Sequence, residues 1–189
     1  PTGWSWISLT SGTHTTNING LVEARSQTQL VYNDPSYGYF GDFEMMNPNA
    51  EAYKLNMEET YNMFPIYSAN NSAFISGTAP SMTLRKGWNW VGYPYEYSYM
   101  ASEVFDASQF AEGDLILSKD SGLAALKNGV WENDFELTPN TGYMVYHNGE
   151  EISVECPGRF DMDQGSFAIA QSLNDDLNTL SALSLAKRN

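Results

Sequence analysis

A five-residue signature occurs twice in this chain, as Gly3-Trp4-Ser5-Trp6-Ile7 and as Gly87-Trp88-Asn89-Trp90-Val91. The two copies hold four of the five tryptophans. Internal repetition constrains a fold more than local propensity does, because each copy must build the same small unit and bury its apolar surface against its neighbour. Further landmarks follow in the same order. Gly41-Asp42-Phe43-Glu44-Met45-Met46-Asn47-Pro48-Asn49 matches Asn133-Asp134-Phe135-Glu136-Leu137-Thr138-Pro139-Asn140, and a tyrosine follows each, Tyr53 or Tyr143. The offset between copies is larger at Pro48 and Pro139 than at the tryptophans, so the second copy is the longer, and its extra residues are placed at Glu96 to Phe105. This divides the chain into a first unit at 1–77, a second at 78–156, and a tail or the start of another module at 157–189.

Each unit reads as short antiparallel strands. Leu84, Trp88 and Trp90 alternate along an opening strand, and burial is the expected fate of its tryptophans. After Pro94, Met100, Val104 and Phe105 fall at helical spacing and predict a short helix. Asp114-Leu115-Ile116-Leu117-Ser118 and Leu123-Ala124-Ala125-Leu126 flank Lys119-Asp120-Ser121-Gly122, a hairpin pattern. Asn128-Gly129 marks a tight turn toward Phe135-Glu136-Leu137. Thr138-Pro139-Asn140-Thr141-Gly142 and His147-Asn148-Gly149-Glu150 bracket Tyr143-Met144-Val145-Tyr146 before Ile152-Ser153-Val154. Phe64–Tyr67 and Ala73–Ser76 predict a hairpin between the copies, whereas 167–187 fits a helix or further strands. The expected fold is therefore mainly β: two tandem pseudo-symmetric units, sandwich- or barrel-like, with a short helix at least in the second. Tryptophans are expected at the interface between the copies.

Charge narrows the partners. Of 189 residues, 23 are acidic and 9 basic, for a net charge of −14, and no segment gathers Lys and Arg. Nucleic acid and anionic membrane surfaces, which select basic patches, are disfavoured. No apolar run approaches the roughly 20 residues that span a bilayer. Pro1-Thr2-Gly3-Trp4 lacks the basic start of a signal peptide, so either an export signal has been removed or the chain is a fragment. The single Cys156 sits in a strand-like alternation, and packing is the role expected of it rather than reactivity.

Catalytic patterns are missing from the sequence. There is no Gly-x-Ser-x-Gly and no phosphate-cradling glycine loop, and the two histidines, His14 and His147, are assigned solvated or turn roles. Asp161-Met162-Asp163-Gln164-Gly165 has alternating carboxylates but no later glutamate, so a plain acidic turn is preferred and calcium is the one cofactor the sequence admits. Tyr93, Tyr95, Tyr97 and Tyr99 alternate along a connection and could present rings to a sugar or a protein, although burial between units is the favoured reading.

Gly87-Trp88-Asn89-Trp90-Val91-Gly92-Tyr93-Pro94, Gly113-Asp114-Leu115-Ile116, Gly129-Val130-Trp131 and Leu137-Thr138-Pro139-Asn140-Thr141-Gly142-Tyr143-Met144 together resemble a tandem module of large secreted or surface proteins of Bacteroidetes. The resemblance covers roughly residues 1 to 156. Asn140 stands where that family usually has glycine, and Asn49-Ala50-Glu51-Ala52-Tyr53 replaces the glycine turn in the first copy. Asparagine tolerates left-handed backbone, so the turn survives. The resemblance implies export, a place in a multidomain protein, and no established activity. The function expected is a non-catalytic structural or interaction module of an extracellular surface protein, contacting other modules of the same polypeptide or a surface complex. The alternative is a carbohydrate-binding module attached to a glycan-processing enzyme.

Overall fold

The structure, a computed structural model, describes residues 2–9, 13–46, 51–60, 81–93 and 98–155. The hairpin expected at Phe64–Ser76, Tyr95, Tyr97, Cys156, the carboxylates at Asp161 and Asp163, and the segment 157–189 lie outside the described residues.

The chain is built from short antiparallel strands. The first half contains β1 (Gly3–Ile7), β2 (Thr13–His14), a 3-10 turn at Thr15–Asn17, β3 (Leu21–Arg25), β4 (Leu30–Asp34), β5 (Gly38–Gly41), β6 (Met45–Met46) and β7 (Tyr53–Met57). The second contains β8 (Ser81–Leu84), β9 (Gly87–Tyr93), β10 (Tyr99–Met100), helix α1 (Ala101–Val104), a 3-10 turn at Ala107–Gln109, β11 (Leu115–Ser118), β12 (Gly122–Lys127), β13 (Val130–Glu132), β14 (Glu136–Leu137), β15 (Thr141–His147) and β16 (Ile152–Glu155). The expected helix is a single turn, because Tyr99 and Met100 pair with β14 instead of joining it.

One sheet of ten strands runs β13-β12-β11-β15-β1-β7-β3-β4-β5, with β9 paired along the whole of β15. It ends openly at β13 and β5, so no closed barrel forms among the described residues. Strand pairing joins the halves at two points: Ile7 pairs with Thr141, and Glu51 bridges Val91. Ser8 N donates to Asn140 O at 3.0 Å, and Ala52 N to Trp90 O at 3.4 Å.

Two apolar clusters lie on the inner side of this sheet. The larger includes Leu84, Val91, Tyr93, Phe105, Ile116, Leu126, Trp131, Tyr143 and Val145. The smaller includes Ile18, Leu21, Ala24, Val31, Met46, Tyr53 and Leu55. Tyr53 and Tyr143 are thus core residues.

The turns follow the residues that make them. Asn128 and Gly129 both take positive φ, 51° and 76°, as a two-residue turn matched to strand twist requires. Asn140 also takes positive φ, 59°, a left-handed position that asparagine tolerates. Ser26 Oγ accepts from the N–H groups of Thr28 and Gln29, and Ser118 Oγ from those of Asp120 and Ser121. A serine hydroxyl closes the β3–β4 and β11–β12 turns in the same way.

Candidate binding face

Alternation along β9 puts Asn89, Val91 and Tyr93 inside and leaves Trp88 and Trp90 on the other side of the sheet. Trp88 is 41% exposed and Trp4 39%, and Trp6 and Trp90 are half-buried. The expected burial of the tryptophan pairs is therefore corrected: they line the outer face, and their neighbours of opposite parity fill the core. Asn89 can be the inward residue because its amide closes the β8–β9 turn. Its Nδ2 donates to Arg85 O at 2.7 Å and to Gly87 O at 3.0 Å, and its Oδ1 accepts from Arg85 N at 2.9 Å. A buried amide with its partners in place costs little.

Cross-strand partners share a face, so strand register maps the outer surface. Trp6 lies opposite Lys54, which lies opposite Arg25. Trp4 lies opposite Asn56, then Glu23, Tyr32 and Phe40 across four successive pairings. On β15, Tyr146 lies opposite Trp88 and Met144 opposite Trp90, and the Trp88 and Tyr146 rings meet edge to face at 5.3 Å. The rings are braced by cations. Arg25 sits over Trp4 at 5.3 Å, while Lys54 Nζ lies 4.4 Å from the Trp6 ring centre and 4.1 Å from that of Trp90. Lys54 thus joins the two signature copies across the junction, a contact whose worth is of order 1 kcal/mol. Burial, with Arg25 beside it, holds the Lys54 amine below the ordinary lysine value.

Gln27, in the β3–β4 turn, clips the outer edge of β9. Its Nε2 donates to Trp88 O at 2.8 Å, and its Oε1 accepts from Trp90 N at 2.8 Å. Beside this clip is a cleft of about 560 Å³ whose lining includes Gln27, Glu51, Arg85, Lys86, Trp88 and Trp90.

The chain matches no protein-family model, no curated protein and no solved structure. What it does has to be read from its own surfaces.

The described members of the tyrosine row do not form the exposed ring surface that was the less favoured of their two readings. Tyr93 is 1% exposed inside the larger core, and Tyr99 packs against the same core. His14 is exposed on β2. His147 is not solvated, being 1% exposed, yet it does organise a turn: its Nε2 lies 2.7 Å from Glu150 O. Its Nδ1 lies 2.9 Å from Asp114 Oδ2, and that carboxylate also accepts from Ala111 N and Asn148 N. Both ring nitrogens are engaged and Phe110 packs edge-on against the ring at 5.5 Å, so the pair closes two loops. Among the described residues, no group of three His, Cys, Asp or Glu side chains could hold a metal, and no helix is long and apolar enough to cross a membrane.

Gln27, Arg25, Lys54, Tyr32 and Phe40 were not singled out by sequence reasoning. Period-2 alternation was the signal available, but single strands do not say which others they lie beside.

Proposed function

We propose that this chain is a non-catalytic interaction module, two copies of one β unit joined edge to edge, whose working surface is the outer face carrying Trp4, Trp6, Trp88 and Trp90. One observation carries the reading: large aromatic side chains repeated in both halves stand outside both cores. Rings needed only for folding belong in the interior, whereas half-exposed rings fixed on paired strands are suited to contact.

The two-copy reading is supported by the pairings. β1 pairs with β7, β7 with β3, β3 with β4 and β4 with β5, while β2 pairs with β6. The same pattern links β9, β15, β11, β12 and β13, while β10 pairs with β14. Thr15 N donates to Glu44 O in one half and Ala101 N to Phe135 O in the other. The placement in an extracellular, multidomain surface protein rests on the resemblance of the Gly87–Pro94 and Leu137–Met144 motifs to the Bacteroidetes module. A non-catalytic role is supported by the closed His147–Asp114 pair.

The test is the stability of single variants in chemical denaturation. Trp4→Ala and Trp88→Ala are each expected to lose less than about 1 kcal/mol, whereas Trp131→Ala, buried and donating from Nε1 to Phe105 O at 2.7 Å, loses about 3–5 kcal/mol. If Trp4→Ala and Trp88→Ala are as damaging as Trp131→Ala, the outer rings exist for folding and the proposal fails.

A further inference from the structure

We infer that the row Phe40, Tyr32, Glu23, Asn56, Trp4 is the binding site of a neutral glycan chain, with Tyr37 extending it at the tip of the β4–β5 hairpin. This rests on the proposal that the outer face is the working surface.

The fold does not require the rings at one end of this row. β3-β4-β5 and β11-β12-β13 are two antiparallel meanders with the same serine-closed first turn. Matching the strand pairings sets Tyr32 and its partner Phe40 against Ala125 and its partner Glu132, and Tyr37, just before β5, against Gly129, just before β13. The second hairpin forms without these aromatics, so the first carries them for another reason. They are also the more exposed: Tyr37 81%, Tyr32 47% and Phe40 45%.

Their geometry selects the ligand. Tyr32 and Phe40 lie 5.9 Å apart with only 30° between ring planes, and Tyr37 meets Phe40 at 6.4 Å. Trp4 is held by Arg25, which also pairs with Glu23. The rings are separated by Glu23 and Asn56, a carboxylate and an amide one strand apart. Strands are about 4.8 Å apart, so four steps from β5 to β1 span about 19 Å, room for several linked pyranose rings. A pyranose has an apolar C–H face and a rim of hydroxyls, which fits aromatic faces interrupted by hydrogen-bonding groups. A protein partner would favour a continuous apolar centre with polar groups at its rim. Charge excludes acidic polymers: Arg25 is engaged with Trp4 and Glu23, and the chain carries a net −14.

The test is affinity electrophoresis of the full chain through gels containing hydroxyethyl cellulose, xylan or galactomannan, with alginate as the acidic comparison. At least one neutral polymer is expected to retard the chain. The double variant Tyr32→Ala/Phe40→Ala should weaken that retardation about tenfold or more, Trp4→Ala should weaken it too, and Val130→Ala on the second hairpin should leave it unchanged. Unfolding midpoints of the variants, measured alongside, separate lost binding from lost folding. The inference is overturned if no neutral polymer retards the chain, if alginate alone does, or if the folded double variant is retarded like the parent. A negative result here beside small stability losses for Trp4→Ala and Trp88→Ala would leave the outer face as a contact surface for protein, whereas large losses would remove the contact surface itself.

Discussion

Asp114→Ala should lower folding stability by about 3–5 kcal/mol, among the largest effects of any single substitution in this chain. The Asp114 side chain is fully buried, and each of its oxygens is used. Oδ1 accepts from Asn148 N at 2.7 Å, and Oδ2 accepts from Ala111 N at 3.0 Å while facing His147 Nδ1. Its backbone takes part as well, since Leu126 N donates to Asp114 O at 2.9 Å. Alanine therefore strands a buried imidazole and two part-buried amides, and the cost is that of leaving them unpaired rather than the worth of any one bond. The approach to β11 and the β15–β16 turn lose their common anchor. Asp114→Asn keeps the shape and an oxygen toward Asn148, and is expected to lose less than Asp114→Ala. Urea unfolding followed by tryptophan fluorescence measures both. A loss below about 1 kcal/mol for Asp114→Ala would show that the pair does not secure the loops.

The second large effect is expected at the joint between the halves. Gly92 and Gly142 lie opposite one another on β9 and β15, and the strand ends of the first half pass directly over them. A Cβ at Gly92 would fall 2.2 Å from Glu51 O and 2.6 Å from Ser8 Oγ, and one at Gly142 would fall 2.8 Å from Ala52 Cβ and 3.0 Å from Ile7 O. Neither has positive φ, so these glycines are required for space. Gly3 and Gly87, at the start of the two signatures, are the converse: φ is 79° and 100°, and nothing lies within 4 Å of an added Cβ. Because the nearest atom above Gly92 is the Glu51 backbone carbonyl, it cannot move aside as the Ser8 side chain could. Gly92→Ala should cost about 3 kcal/mol and Gly92→Val more, with Gly142→Ala milder because its neighbours are slightly farther away. Thermal unfolding is the measurement, and an unchanged midpoint for Gly92→Ala would mean that the halves do not meet at this glycine pair.

Much of the β pattern was legible because turns are local. Lys119-Asp120-Ser121-Gly122 and Asn128-Gly129 place two hairpins correctly, since positive φ and hydroxyl-closed turns are properties of a few adjacent residues. The face of each strand was not legible. Trp88 and Trp90 alternate with Asn89, Val91 and Tyr93, and hydrophobicity alone favours burying the tryptophans. The opposite parity prevails because Asn89 satisfies itself in the β8–β9 turn and Tyr93 fills the core. Partnerships distant in sequence were equally hidden, as Gln27 on the edge of β9 and Lys54 beneath Trp90 depend on how the two halves meet. On the proposed two-copy reading, the helical turn at Thr15–Asn17 would correspond to Ala101–Val104, and the additional residues of the second half would then fall between α1 and β11, where Phe110 and Asp114 enclose His147.

The repeated tryptophans face outward while the core is built from their neighbours, and hydroxyl-radical footprinting of the full chain, with oxidation read at each tryptophan by mass spectrometry, checks that arrangement. Trp4 and Trp88 should oxidise fastest, Trp6 and Trp90 more slowly, and Trp131, at 4% exposure, should be protected until the chain unfolds. Protection of Trp4 and Trp88 equal to that of Trp131 in the folded chain would contradict the account, because it would put the signature rings inside the fold.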